Sequence, residues 1–269
     1  LTDHGNCNGL AYQVLHGKSM ESAGKNFKPI YGCEAYFIPS LKEWGEVYNQ
    51  TKTDKKSKKD ATSGGFTVED ELETKSVKDI LNRRRHLVLL AQNQTGLNNI
   101  FKLISQSYKP GNFYRFPRID YDLLRTHSEG IIASSACLGG IYAGDLWENL
   151  DNGDEAVLNA MRKTTENMQS ILGDRWYAEL QWFKHPMQMK LNTFIVQIAK
   201  EYGLELISTA DSHYFNPEVW KSRELYKRFR PGANAFFGEM ADDLEEYGME
   251  LYPKNGDQMF ASYKKYSSE

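Results

Sequence analysis

The chain has 269 residues, 40% of them hydrophobic and 26% charged, with a formal net charge of −3. That length can bury a sizeable core, as one α/β barrel or as two smaller domains, and the charge balance provides no global basic field, so any DNA contact has to be local. The absence of a signal peptide and of any run of about 20 apolar residues argues against secretion and membrane insertion, and three cysteines, Cys7, Cys33 and Cys137, fit a reducing compartment better than a disulfide scaffold.

The chain opens Leu1-Thr-Asp-His-Gly, without a methionine and at what reads as a strand end, so a first strand is expected upstream. From about Asn8 to Ala23 the pattern predicts a helix with Leu10, Val14 and Leu15 on one face, and Gly24 lies near its C-terminal cap. Lys28 to Ile38 alternates with β-type residues around Gly32-Cys-Glu34 and predicts a strand. Pro39 to about Leu81 carries a lysine-rich run, Lys52 to Asp60, then Ser63-Gly-Gly65 and an acidic patch. It reads as a flexible, solvated insertion, with a lysine-bearing arm for DNA phosphates as the sharper alternative.

Arg83-Arg-Arg85 leads into a buried-type strand, His86 to Asn93, and Thr95 can cap the helix Gly96 to Tyr108. A short helix near Tyr121, a strand Gly130 to Ser135, helices near Ile141 to Leu150 and Asp154 to Leu172, and a strand Arg175 to Trp182 follow. Pro186 to Tyr202 reads as a helix, and Leu204 to Ser208 as a strand running into Asp211-Ser-His213. Strand and helix alternate throughout, which favours a β/α architecture with parallel strands. In the tail, Pro217 to Arg228 looks helical, Pro231 to Gly238 is turn-rich, and Met259 to Tyr266 makes a last short helix.

His4, His86 and His213 sit at edges of apolar strands. One such histidine is usually a structural residue. Together with Glu34, Cys137 and Asp211 they offer imidazole, carboxylate and thiolate from several strand ends, a donor set for a multi-metal site. The i, i+2 spacing of Asp211 and His213 places both on one side of an extended segment. His86 begins its strand, which in a regular barrel is the wrong end for chemistry. His16 and His127 read as surface or packing residues, and His185 before Pro186 reads as packing rather than pocket-facing. Cys7 and Cys33 read as small buried fillers.

Five motifs, Leu1-Thr-Asp-His-Gly-Asn6, Gly32-Cys-Glu-Ala-Tyr36, His86-Leu-Val-Leu-Leu-Ala91, Ser134-Ser-Ala-Cys-Leu-Gly-Gly140 and Asp211-Ser-His-Tyr214, stand in an order that resembles the polymerase and histidinol phosphatase (PHP) domain at the front of the alpha subunit of bacterial replicative DNA polymerase III. The resemblance implies a distorted TIM-like β/α barrel of about seven strands, its first strand missing here, over residues 1–230, with 39–81 as an insertion. Residues 231–269 would lead toward a polymerase region not in this chain. It implies metal ligands at His4, Glu34, His86, Cys137, Asp211 and His213, with Glu34, Asp211 and His213 closest to catalysis. Up to three divalent ions are implied, zinc or manganese, with iron or magnesium as alternatives. An upstream His-x-His motif and an acidic ligand of the family are not in this chain.

The function implied is metal-dependent phosphodiester hydrolysis, a 3′→5′ exonuclease of proofreading type on the DNA primer strand. Arg83, Arg84 and Arg85, and also Arg115, are cations that could hold the backbone, on charge alone. The implied partners are that strand and the rest of the alpha subunit, in the cytoplasm of a bacterium or a phage-infected host. Two rivals stand beside this. One is a domain of little turnover that braces the polymerase or binds a proofreading subunit. The other is a small-molecule phosphatase acting on histidinol phosphate, against which the Cys-Leu-Gly-Gly loop argues.

Overall fold

The computed structural model describes residues 1–60, 80–228 and 250–267. The turn-rich stretch from Pro231 to Gly238 lies outside the described residues, as do residues 61–79 of the charged insertion. The chain is mixed α/β and divides into two compact units. The first comprises Leu1–Ser134 with Glu166–Trp176, and the second Ser135–Thr165 with Tyr177–Glu269.

The first unit is built on β1 (Thr2–His4), β2 (Gly32–Phe37), β3 (Arg85–Ala91) and β6 (Ile131–Ser134). β1 and β2 are parallel, whereas β3 runs antiparallel to both of its neighbours, β2 and β6. The expectation of uniformly parallel strands is therefore corrected at β3. Alternation sorts the two faces. Cys33, Ala35, Phe37, Leu87 and Leu89 are buried on one side, where they meet the helix α3 (Gln94–Ser107) through Ile100 and Leu103. Glu34, Tyr36, His86 and Val88 share the other face, since paired residues of an antiparallel ladder point the same way. Cys33 is fully buried as expected, while Cys7 is only partly so.

Asn93, not Thr95, caps α3; its side chain accepts from the backbone N–H of Gly96 at 2.9 Å. Thr95 already lies in the first turn. Helix α1 (Leu10–Ser22) buries only Leu10, and Val14 and Leu15 stay exposed. The first part of the segment read as a solvated insertion is ordered as helix α2 (Leu41–Asp60). Its anchor is apolar: Ile38, Trp44 and Leu81 form a buried cluster, and Trp44 stacks on Tyr48 at 5.2 Å one turn later. A two-rung hairpin, β4 (Phe113–Tyr114) and β5 (Phe116–Pro117), precedes the short helix α4 (Tyr121–Thr126), which Asp120 caps.

The second unit holds the parallel pair β7 (Trp176–Gln181) and β8 (Leu206–Thr209). With them are helices α5 (Ile141–Asn149), α6 (Asp154–Leu172, shared with the first unit), α7 (Pro186–Tyr202), α8 (Trp220–Arg228) and α9 (Gly256–Tyr266). α7 is bounded by textual signals that the sequence displays openly. Pro186 occupies its first turn, His185 accepts from the Met187 N–H through Nδ1 at 3.2 Å, and Gly203 closes it in a left-handed conformation. His185 is thus a helix cap.

Candidate metal centre

His4 ends β1, and the register sets it beside Glu34 on β2. The next residue must turn sharply. Gly5 does so with φ of +67°, packed so closely beneath Tyr36 that a Cβ would meet its ring at 2.9 Å. Asp3 does not share the centre's chemistry, because its carboxylate holds the turn by accepting from the Gly9 N–H at 2.6 Å. His86 is the second residue of β3, but β3 runs backwards, so its start lies beside the far end of β2, with His86 opposite Tyr36. The reversal removes the difficulty that a strand-start histidine poses in a parallel barrel.

Three potential ligand atoms converge there. Nδ1 of His4 lies 3.0 Å from Glu34 Oε1, and Nδ1 of His86 lies 2.5 Å from the same oxygen. Among the described residues this is the single group of three or more His, Cys, Asp or Glu side chains whose ligand atoms all fall within 4.8 Å of one another. Glu34 Oε1 is buried, and no hydrogen bond of acceptable angle reaches it. Two imidazole nitrogens and a carboxylate oxygen aimed at one point, without hydrogen-bond alignment between them, fit a divalent cation that accepts N and O donors, such as zinc, manganese or iron.

Burial alone would raise the Glu34 carboxyl, but the close approach and positive charge of the His4 and His86 imidazoles outweigh it and hold the group at about 2, against an ordinary 4.5. A carboxyl lowered in the folded state stabilises fully above its unfolded value and loses that contribution as pH falls through the folded one. The metal-free chain should therefore lose about 3 kcal/mol between roughly pH 4.5 and pH 2. Acid unfolding followed by circular dichroism checks this, and an unchanged acid profile in Glu34→Gln would contradict it.

The other three predicted ligands lie in the second unit. β8 stops at Thr209, and Asp211 adopts the left-handed region with φ of 46°. The extended geometry expected for Asp211-Ser-His213 is thus replaced by a tight turn, although His213 Nε2 still comes within 3.4 Å of Asp211 Oδ2. The turn is pinned from the C-terminal segment, a long-range contact that no local residue pattern announces. The His213 N–H donates to the Leu251 carbonyl at 2.8 Å, and the Leu251 N–H donates to the Tyr214 hydroxyl at 2.9 Å. Cys137 sits in a narrow loop whose sulfur accepts from the Gly139 N–H at 3.4 Å. Gly140 closes that loop, and a Cβ there would strike the Ser135 carbonyl at 2.1 Å.

The three arginines proposed for DNA differ in kind. Arg85 is buried, whereas Arg83 and Arg84 are exposed. Arg115 has φ of 59° and lies over the Tyr114 ring at 5.4 Å. An arginine the sequence reading passed over, Arg118, is fully buried. It donates to the carbonyls of Leu81, Arg83, Tyr114 and Phe116 at 2.7 to 3.1 Å. Burial, and then the nearby charge of Arg84, lowers its pKa to about 10, so it stays charged at neutral pH.

Among the described residues no helix is long and apolar enough to cross a membrane. A DNA polymerase III subunit alpha from Aquifex aeolicus (strain VF5) is 36% identical over 221 residues, covering 81% of this chain and 16% of that protein. The protein of the same name from Thermus aquaticus is 33% identical over 225 residues, 84% of this chain and 15% of its own length. That from Borreliella burgdorferi (strain ATCC 35210 / DSM 4680 / CIP 102532 / B31) is 34% identical over 233 residues, 87% and 17% respectively. The chain thus spans about a sixth of the length of these curated relatives. The PHP domain family matches residues 1–182, a span that contains His4, Glu34, His86 and Cys137, and the chain belongs to that family.

Proposed function

We propose that this chain is the PHP domain of a replicative DNA polymerase III alpha subunit and hydrolyses phosphodiester bonds, removing nucleotides 3′→5′ from a primer strand. The observation that carries the reading is the convergence of His4, Glu34 and His86 on one point. The reading includes the barrel over residues 1–230 with its first strand upstream, and 231–269 as the lead toward the polymerase. It also includes a cytoplasmic setting, with the DNA primer strand and the rest of the alpha subunit as partners.

His4, Glu34 and His86 would hold one cation; Cys137, Asp211 and His213, in the second unit, are the further ligands that the family resemblance implies. Bound divalent ions supply Lewis acidity, which makes water a nucleophile at neutral pH and offsets charge on the phosphate. The residues of the chain supply the rest. Glu34 stays ionised at neutral pH, so it contributes a full negative charge from a buried position. The β1–β2–β3 ladder fixes both imidazoles against it, so little reorganisation is needed when a substrate arrives. The Asp211–His213 pair offers a second carboxylate and imidazole, on a turn held at the main chain by Leu251.

The test combines metal analysis with hydrolysis of a 3′-labelled single-stranded oligonucleotide. Asp211→Ala is expected to lower turnover by more than about a hundredfold, since even losses outside the ligand shell cost 10- to 100-fold. Equal DNA degradation by wild type and Asp211→Ala would mark the nuclease as a contaminant. Metal-loaded protein with no turnover would support a domain that braces the polymerase or binds a proofreading subunit, and activity on histidinol phosphate alone would support a small-molecule phosphatase.

A further inference from the structure

The triad does not end at its three ligands. Tyr36 lies on the same sheet face, with its ring 5.5 Å from that of His86 and stacked on His4 at 6.4 Å with an 11° interplanar angle. Phe116 of the small hairpin meets Tyr36 edge-on at 5.6 Å. The guanidinium of Arg84 lies 3.8 Å from the centre of the Phe116 ring and 5.7 Å from that of Tyr36. A continuous aromatic shelf therefore runs from the candidate metal centre to one exposed arginine.

That arginine is seated, not merely exposed. A free arginine on a surface loses rotamer entropy when a ligand fixes it. Here the rings restrict it beforehand, and Nη1 also donates to the Asn82 carbonyl at 3.3 Å. The support beneath is rigid as well. Arg118 ties the carbonyl of Arg83, the preceding residue, to those of Tyr114 and Phe116, so the arginine-bearing segment and its aromatic seat are fastened to one buried group. Arg85, the next residue, differs in being buried. A planar guanidinium stacked on one ring keeps its edge available for a phosphate, which it can bind through two parallel N–H donors.

We infer that Arg84, held on Phe116 and Tyr36, binds a backbone phosphate of a single nucleic-acid strand next to the phosphate that the metal centre receives. The inference rests on the nuclease reading for the identity of the ligand. It assigns Arg84 to binding and positioning, not to chemistry on the reacting bond. A phosphate contact of this kind acts without regard to base sequence and contributes to the salt dependence of binding.

The test is fluorescence anisotropy of a labelled single-stranded oligonucleotide titrated with the intact protein, without metal and with calcium, across a salt series. Arg84→Ala is expected to weaken binding about tenfold or more, equally for different sequences, and to reduce the salt slope by about 1. Arg84→Lys should recover part of the affinity, because it keeps the charge but not the planar fork. Arg125→Ala removes a charge elsewhere on the first unit, where Arg125 pairs with Asp122, and should bind as wild type does. Metal content should be unchanged in all three variants. Wild-type affinity and salt slope in Arg84→Ala would overturn the inference, as would a wild-type protein that binds no single-stranded DNA. Failure of the nuclease reading looks different: binding would still depend on Arg84, but the strand would survive prolonged incubation with manganese.

Discussion

Glu34→Gln is expected to empty the candidate metal centre and to abolish measurable phosphodiester hydrolysis. The substitution keeps the volume and removes the charge. Both histidines present Nδ1 to the same Glu34 oxygen, so a neutral amide leaves two nitrogen donors without an anionic partner, too few for a tightly held divalent ion. The fall in turnover should exceed the roughly 10- to 100-fold that follows the loss of outer-shell partners. Metal analysis by mass spectrometry, before and after dialysis, reads the loss directly. Acidification of the wild-type protein should mimic it in part, because protons compete with the cation for imidazole and carboxylate. Full metal occupancy and wild-type turnover in Glu34→Gln would remove the triad from any account of the activity.

The largest effect on stability is expected at Arg118. Its side chain is fully buried, lies 4.8 Å from the centre of the Trp44 ring, and serves four main-chain carbonyls. Arg118→Ala removes every one of those donors. Leu81 keeps a bond from the Trp44 indole N–H at 3.3 Å; the other three carbonyls lose the arginine donor. An uncompensated buried acceptor costs about 1–3 kcal/mol, and breaking a buried charged network typically costs about 3–5 kcal/mol in all. Thermal denaturation should register this as a fall of about 10 °C or more, at roughly 2–4 °C per kcal/mol for a chain of this size. Arg118→Lys should restore only part, since an ammonium cannot span four carbonyls as a planar fork does. A melting temperature within 2 °C of wild type in Arg118→Ala would show that the network contributes little. Because the same group fastens Phe116 and the segment before Arg84, Arg118→Ala should also weaken binding of single-stranded DNA.

Much of this was legible in the residues. Alternation marked β2, β3 and β6, and cap residues marked α7, because both signals are local. His4, Glu34 and His86 could be named as ligands, but their meeting could not be derived from spacing. It depends on β3 running antiparallel, and strand direction is decided by pairing between residues some fifty positions apart. Asp211 departs from the extended geometry expected of it, and the segment it opens is held from Leu251, far along the chain. Arg118 gave no signal at all: its partners are carbonyls, which every residue possesses. Trp44 did give one. Trp44, Val47 and Tyr48 fall at i, i+3 and i+4, a helical stripe masked by the lysine-rich composition that follows.

The pairing of Phe37 with Arg85 has a consequence for how such a chain can change over time. The polypeptide leaves the sheet and re-enters it on the same rung, so the ends of the excursion between them are already neighbours. Lengthening a closed loop adds only about 0.6 kcal/mol for each doubling. Segments added between Phe37 and Arg85 should leave the His4–Glu34–His86 arrangement untouched, which makes this excursion a natural port for new attachments.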